Sequence, residues 1–165
     1  MSQPRIVLGS TELIDDVEHL WKALHEHHQE GLPGFAYLSP DASWKARSDE
    51  YRRWLARPES FVLVAYDAGV PVGYALAEVA DGPEDTWVTG AHIAHLQSLA
   101  VAAHWRGKGL GTVLADRVDA ELAARGIGDL MLDVVAGNTG AERFYQRRGL
   151  RKVLSIYARF SGEPA

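Results

Sequence analysis

The 165-residue sequence predicts an α/β or α+β domain on a mixed sheet, and three observations carry that expectation. Two helix-period segments come first, a strand pair with a tight turn follows, and a strand, glycine loop, helix and strand then form a parallel crossover of right-handed sense. At 47% hydrophobic and 24% charged residues, the chain has the composition of one domain over residues 1–165 with its own core.

In order, Ile6-Val7-Leu8 reads as a short first strand, and Ser10 or Thr11 caps a helix that places Leu13, Val17, Leu20, Trp21 and Leu24 on one face and ends by Gly31. Leu32-Pro33-Gly34 and Ser39-Pro40 mark a loop. Asp41 caps a second helix through Trp44, Tyr51, Trp54 and Leu55 that stops before Pro58. Residues 61–66, the turn Asp67-Ala68-Gly69 and residues 70–79 form an antiparallel hairpin, with Pro71 near a strand start. A polar loop with Asp81, Glu84 and Asp85 leads to a strand over residues 91–101. A helix over residues 110–125 carries Val113, Leu114, Val118 and Leu122 at helical spacing, and Gly126 and Gly128 end it before a strand over residues 130–135. Asn138-Thr139-Gly140 opens a short helix over residues 141–148, Gly149 closes it, and residues 150–160 supply one or two last strands.

Several function classes recede on composition. No apolar run approaches the roughly 20 residues that span a bilayer, and Met1-Ser2-Gln3-Pro4-Arg5 lacks the apolar stretch of a signal peptide, so a cytoplasmic protein without membrane contact is expected. Without cysteine there is no disulfide, thiolate metal site or cysteine nucleophile. A net charge of -5 argues against non-specific nucleic-acid binding and mildly favours a cationic or neutral partner.

The chemistry concentrates in Arg106-Gly107-Lys108-Gly109-Leu110-Gly111, where a strand ends and a helix begins. A helix N-terminus presents unpaired N–H groups and a partial positive charge, Arg106 and Lys108 add full charges, and the glycines let backbone approach a pyrophosphate. A Walker loop requires Gly-Lys-Ser/Thr after a longer spacing, which is absent. The dinucleotide fingerprint stays open as a minor alternative, since the glycines are spaced differently and Val134 and Val135 continue the strand past the acidic Asp133.

The segment His95-Leu96-Gln97-Ser98-Leu99-Ala100-Val101, followed by Trp105-Arg106-Gly107-Lys108-Gly109-Leu110-Gly111, resembles the pyrophosphate motif of the GNAT (GCN5-related) N-acetyltransferases. Asn138-Thr139-Gly140-Ala141-Glu142-Arg143-Phe144-Tyr145 is similar to that family's following signature. The resemblance covers residues 91–150 closely and the earlier elements by order alone. It implies a splayed sheet with acetyl-CoA, the acetyl donor, lying in the gap between the strands that carry Leu99 and Val134. It further implies that backbone groups of Leu99, Ala100 and Val101 bind the thioester and pantetheine, that those of Arg106, Gly107, Lys108, Gly109, Leu110, Gly111 and Thr112 bind the pyrophosphate, and that Asn138, Ala141, Phe144 and Tyr145 line the coenzyme. Neither a metal nor a covalent intermediate is implied. Tyr145 matches the position that hydrogen-bonds the departing sulfur.

The sequence departs from the family where a glutamate often precedes Leu99, since His95 and Gln97 stand there. Both point to one face unless a bulge intervenes, and His95 is the candidate base for an amine-bearing acceptor. A non-catalytic acyl-CoA sensor or subunit is the alternative to an enzyme. His25 and His28 share a helix face but lack a third metal ligand, and with His27 they read as surface or substrate-rim histidines. Trp21, Trp44 and Trp54 read as core, Trp105 as packed beneath the glycine loop, and Asp81, Glu84 and Asp85 as a solvated acidic loop. Nothing in the sequence fixes the acceptor, and a homodimer is left open.

Overall fold

The computed structural model describes residues 3–162; Met1 and Ser2 of the N-terminal segment read above lie outside them. The elements are β1 (Arg5–Gly9), α1 (Glu18–Gly31), α2 (Pro40–Leu55), β2 (Phe61–Asp67), β3 (Val70–Asp81), β4 (His92–Val101), α3 (Leu110–Ala124), β5 (Asp129–Met131) and α4 (Thr139–Arg147). The sheet runs β1-β2-β3-β4-β5, antiparallel except for the parallel pair of β4 and β5. This is the expected mixed sheet.

β2 explains why the sheet has helices on both faces. Phe61, Val62, Leu63, Val64 and Ala65 are each at most 1% exposed, so over these five residues neither face of the strand sees water. Phe61, Leu63 and Ala65 join Ala75, Ala77 and Val79 of β3 and Leu110, Leu114, Val118 and Leu122 of α3 in one core. Val62 and Val64 join Tyr74 and Leu76 with Leu20 and Trp21 of α1 and Trp44, Tyr51 and Leu55 of α2 in the other. Strand alternation thus sorts odd and even positions to opposite sides. The hairpin closes through Ala68 (φ 48°) and Gly69 (φ 82°), both left-handed as a two-residue turn between right-twisted strands requires.

Four local expectations are corrected. Ser10 does not cap a helix, because its hydroxyl reaches the Leu55 carbonyl at 3.4 Å; two 3-10 turns, Thr11–Leu13 and Asp15–Val17, hold Leu13 and Val17 before α1 begins. α2 starts one residue before Asp41: Ser39 Oγ accepts from the Ala42 N–H at 3.2 Å, Pro40 takes the first turn, and Asp41 instead pairs with Lys22 at 2.6 Å. β5 spans three residues, not the six from 130 to 135, because β4 pairs with it only at Ile93, Ala94 and His95 and leaves the rest without a ladder partner. Residues 150–160 form no strand: Val153, Leu154, Ile156, Tyr157 and Phe160 are exposed, and the Phe160 ring meets Phe35 at 5.7 Å, with no sheet edge beneath it.

Candidate active site

The parting of β4 from β5 exposes a backbone edge. Just past the end of β4, the Ala102 N–H donates to the Val72 carbonyl at 2.8 Å, toward β3. N–H groups alternate along a strand, so Ala100 faces β3 as well while Leu99 and Val101 turn theirs to the opposite edge, where β5 no longer pairs. Ala100 is buried against α2, and Leu99 and Val101 are half-buried against the α3-side core.

That edge runs directly into the start of α3. Gly109 occupies the cap position with φ 85°, and Gly107 has φ 72°, both in the left-handed region; a Cβ at either would meet nothing within 4 Å, so glycine is required there by conformation. No side chain caps α3, and its first backbone bond runs from the Val113 N–H to the Gly109 carbonyl at 3.1 Å. The N–H groups of Leu110, Gly111 and Thr112 therefore point out of the helix start without an intrahelical acceptor. A Cβ on Gly111 would stand in ordinary contact with Leu99 and Val101, 3.9 Å from each, which shows how closely the helix start sits on the β4 edge. Arg106 Nε donates to the Val101 carbonyl at 3.2 Å, and Lys108 Nζ lies 5.4 Å from the ring centre of Trp105, which is buried beneath the loop as expected.

α4 follows the point where β5 parts from β4 and packs on the α3 side. Asn138 Oδ1 accepts from the Ala141 N–H at 3.1 Å, so this side chain is first of all the cap of α4, its amide N–H groups left to donate elsewhere. Arg148 fastens α4 to α3 through Asp116 (2.8 Å) and Asp119 (2.6 Å). Ala141, Phe144 and Tyr145 are half-buried, the two rings stand edge-on at 5.1 Å, and Tyr145 packs against the α3-side core. Burial pushes the Tyr145 phenol up to about 12, only partly opposed by the Arg148 charge.

The β3–β4 register slips between Leu76 and Ala77: Leu76 faces Ser98, Ala77 faces Leu96, and Gln97 is the extra residue. The bulge is held from both sides. Ser98 Oγ donates to the Gln97 carbonyl at 2.7 Å, and the buried Tyr51 hydroxyl of α2 sits 2.5 Å from Ser98 Oγ and 2.9 Å from Tyr74. Burial holds both tyrosines above their ordinary range. Gln97 Nε2 donates to Glu78 Oε2 at 2.7 Å, and Glu78 lies directly across from His95. Directly opposed residues share a face, so the bulge leaves Gln97 and His95 on the same side after all.

Glu78 is not singled out by the sequence reading. Its signal was a lone carboxylate inside the apolar run of β3, which becomes meaningful only once the pairing with β4 is known.

The remaining candidates divide. Trp21 and Trp44 are core, with Trp21 Nε1 donating to Ser43 at 3.1 Å, and Trp54 packs beside them. His25 is not a surface histidine as expected but is buried, its Nε2 2.8 Å from the Leu38 carbonyl. His27 and His28 line a cavity of about 320 Å³ with Gly31 and residues 135–140, and burial, reinforced by neighbouring His27, His25 and Arg47, lowers the His28 pKa. Asp81 pairs with Arg57, and Asp133 is exposed.

The acetyltransferase (GNAT) family model matches residues 21–150. No curated protein sequence matches the chain. Among solved structures, a GCN5-related N-acetyltransferase from Ralstonia eutropha superposes with a TM-score of 0.76 at 20% identity, over 96% of this chain and 99% of that one. The aminoglycoside N-acetyltransferase AAC(6')-Iy in complex with CoA superposes at 0.71 and 19% identity, over 98% and 97%. An aminoglycoside acetyltransferase from an uncultured soil metagenomic sample, in complex with sisomicin, superposes at 0.66 and 16% identity, over 96% and 97%. At these identities the three establish a shared fold.

Proposed function

Because the chain belongs to the acetyltransferase (GNAT) family, we propose that it is, over its whole length, one domain that moves an acetyl group from acetyl-CoA to a primary amine in a ternary complex. The observation that carries this reading is the continuity of one donor surface: the outward N–H groups of Leu99 and Val101 on β4 lead into those of Leu110, Gly111 and Thr112 at the uncapped start of α3. An extended amide-bearing arm ending in a pyrophosphate matches that surface, the arm completing the sheet edge where β5 leaves it and the phosphates taking the place of a helix cap.

The residues divide the work. The Leu99 N–H, held in direction because Leu99 sits across from Ala75 in the β3–β4 ladder, polarises the thioester carbonyl and holds the oxyanion formed when the amine attacks, an effect worth about 3 kcal/mol in comparable sites. The N–C bond forms, the C–S bond breaks, and Tyr145 hydrogen-bonds the leaving sulfur from α4. Its raised pKa fits a hydrogen-bond donor better than an acid that gives up its proton. His95, on the α1/α2 face of β4, lies on the side from which the amine arrives.

The aminoglycoside acetyltransferases among the structural neighbours and the Glu78 carboxylate beside His95 support a cationic amine as acceptor, so aminoglycosides, alkyl diamines and lysine peptides form the panel. Purified protein with acetyl-CoA and each amine should release free thiol in step with amine consumption. Coenzyme binding without thiol release for any of them would favour a sensor.

A further inference from the structure

We propose that Glu78, set in place by Gln97 at the β4 bulge, is the carboxylate that receives the acceptor's ammonium group and takes its proton. The assignment rests on the acetyltransferase reading and names a residue for its acceptor side.

Geometry carries it. Ala77 and Val79 flank Glu78 in β3 and both lie in the α3-side core, so Glu78 projects to the opposite face, toward α1 and α2. It is half-buried, at the one place where β4 bulges, and the bulge residue Gln97 spends its side-chain amide on the carboxylate at 2.7 Å. His95 is directly across the ladder. No lysine or arginine is paired with Glu78 among the described residues, whereas nearby Asp81 is neutralised by Arg57 and Glu121 by Arg117 and Arg125. A half-buried carboxylate with one neutral hydrogen bond has acceptor capacity left, and a cation is the ligand that satisfies it.

The steps balance. The ammonium gives one proton to Glu78, directly or through one water, and the neutral amine attacks the thioester carbon. The addition intermediate loses its second N–H proton as the C–S bond breaks, and that proton goes to the departing sulfur. Glu78 returns its proton to solvent.

The test compares Glu78→Gln with wild type on two acceptors: the most active primary alkylamine of the panel, cationic at neutral pH, and hydroxylamine, which is neutral there and needs no deprotonation. Turnover with the alkylamine should fall at least 50-fold and that with hydroxylamine less than 3-fold, while coenzyme A affinity by calorimetry is unchanged. Gln97→Ala, which frees the carboxylate from its tether, should raise KM for the alkylamine more than it lowers kcat. Equal losses on both acceptors, or no loss on either, would overturn the role of Glu78 while leaving the acetyltransferase reading intact. Wild-type protein that releases no thiol with any amine overturns that reading, and this assignment with it.

Discussion

At the Tyr145 hydroxyl, a pKa of about 12 faces a thiol whose ordinary value is about 8.5, so complete proton transfer to the leaving sulfur would be uphill by about 5 kcal/mol. A hydrogen bond to developing negative charge needs no such transfer and contributes about 1.5–3 kcal/mol. Tyr145→Phe should therefore lower turnover about 10- to 100-fold in a steady-state thiol assay and move the coenzyme A dissociation constant by less than about 3-fold. The same raised value has a consequence for stability. Folding favours the neutral phenol, so its contribution is complete below about pH 10 and is lost as pH rises toward 12, about 2–3 kcal/mol in all. The unfolding free energy of wild type from urea titrations should fall by that amount relative to Tyr145→Phe as pH is raised from 9 to 12. Tyr145 and the Arg106 to Gly111 loop were readable from local spacing, because each motif sits within a few residues of chain. Glu78 was not, because its neighbours Gln97 and His95 arrive from another strand and only a bulge of one residue brings the amide into reach.

Among the elements, α3 was legible from its first residue: glycines before it, apolar residues at helical spacing and a glycine after it fix both ends. Gly109→Ala tests that start. With φ 85° and empty space around the added methyl, the substitution acts through backbone strain alone, about 1–2 kcal/mol, and should lower the melting temperature by roughly 2–8 °C in a circular dichroism melt. Elements whose form depends on a distant neighbour were less legible. The start of α2 is set by the Ser39 cap with Pro40 in the first turn, which leaves Asp41 inside the helix to pair with Lys22 of α1. β5 and residues 150–160 share one cause. A period-2 apolar pattern makes a strand only beside an edge that pairs with it, and beyond Met131 the edge of β4 has turned away. The shortness of β5, which defeated the local reading, is also what leaves the Leu99 and Val101 N–H groups unpaired.

Across the whole molecule, the sheet divides two cores, and the candidate site lies where that division opens: the groups proposed for the coenzyme come from β4, α3 and α4, those proposed for the amine from β3 and β4 on the α1/α2 side. The buried Tyr51–Ser98 contact ties the second of these to the first, since Ser98 lies between Gln97 and Leu99. The helix start at Gly109 has a further consequence at this scale. A helix that lacks its own cap is completed by whatever anion binds there, so the donor becomes part of the folding equilibrium. At one hundred times its dissociation constant, coenzyme A should stabilise the chain by about 2.7 kcal/mol and raise the melting temperature by roughly 5–10 °C, measured by scanning fluorimetry with no acceptor present. Molecules short of coenzyme would unfold more often and be cut sooner by proteases, so the amount of this protein in a cell would follow the supply of its own donor.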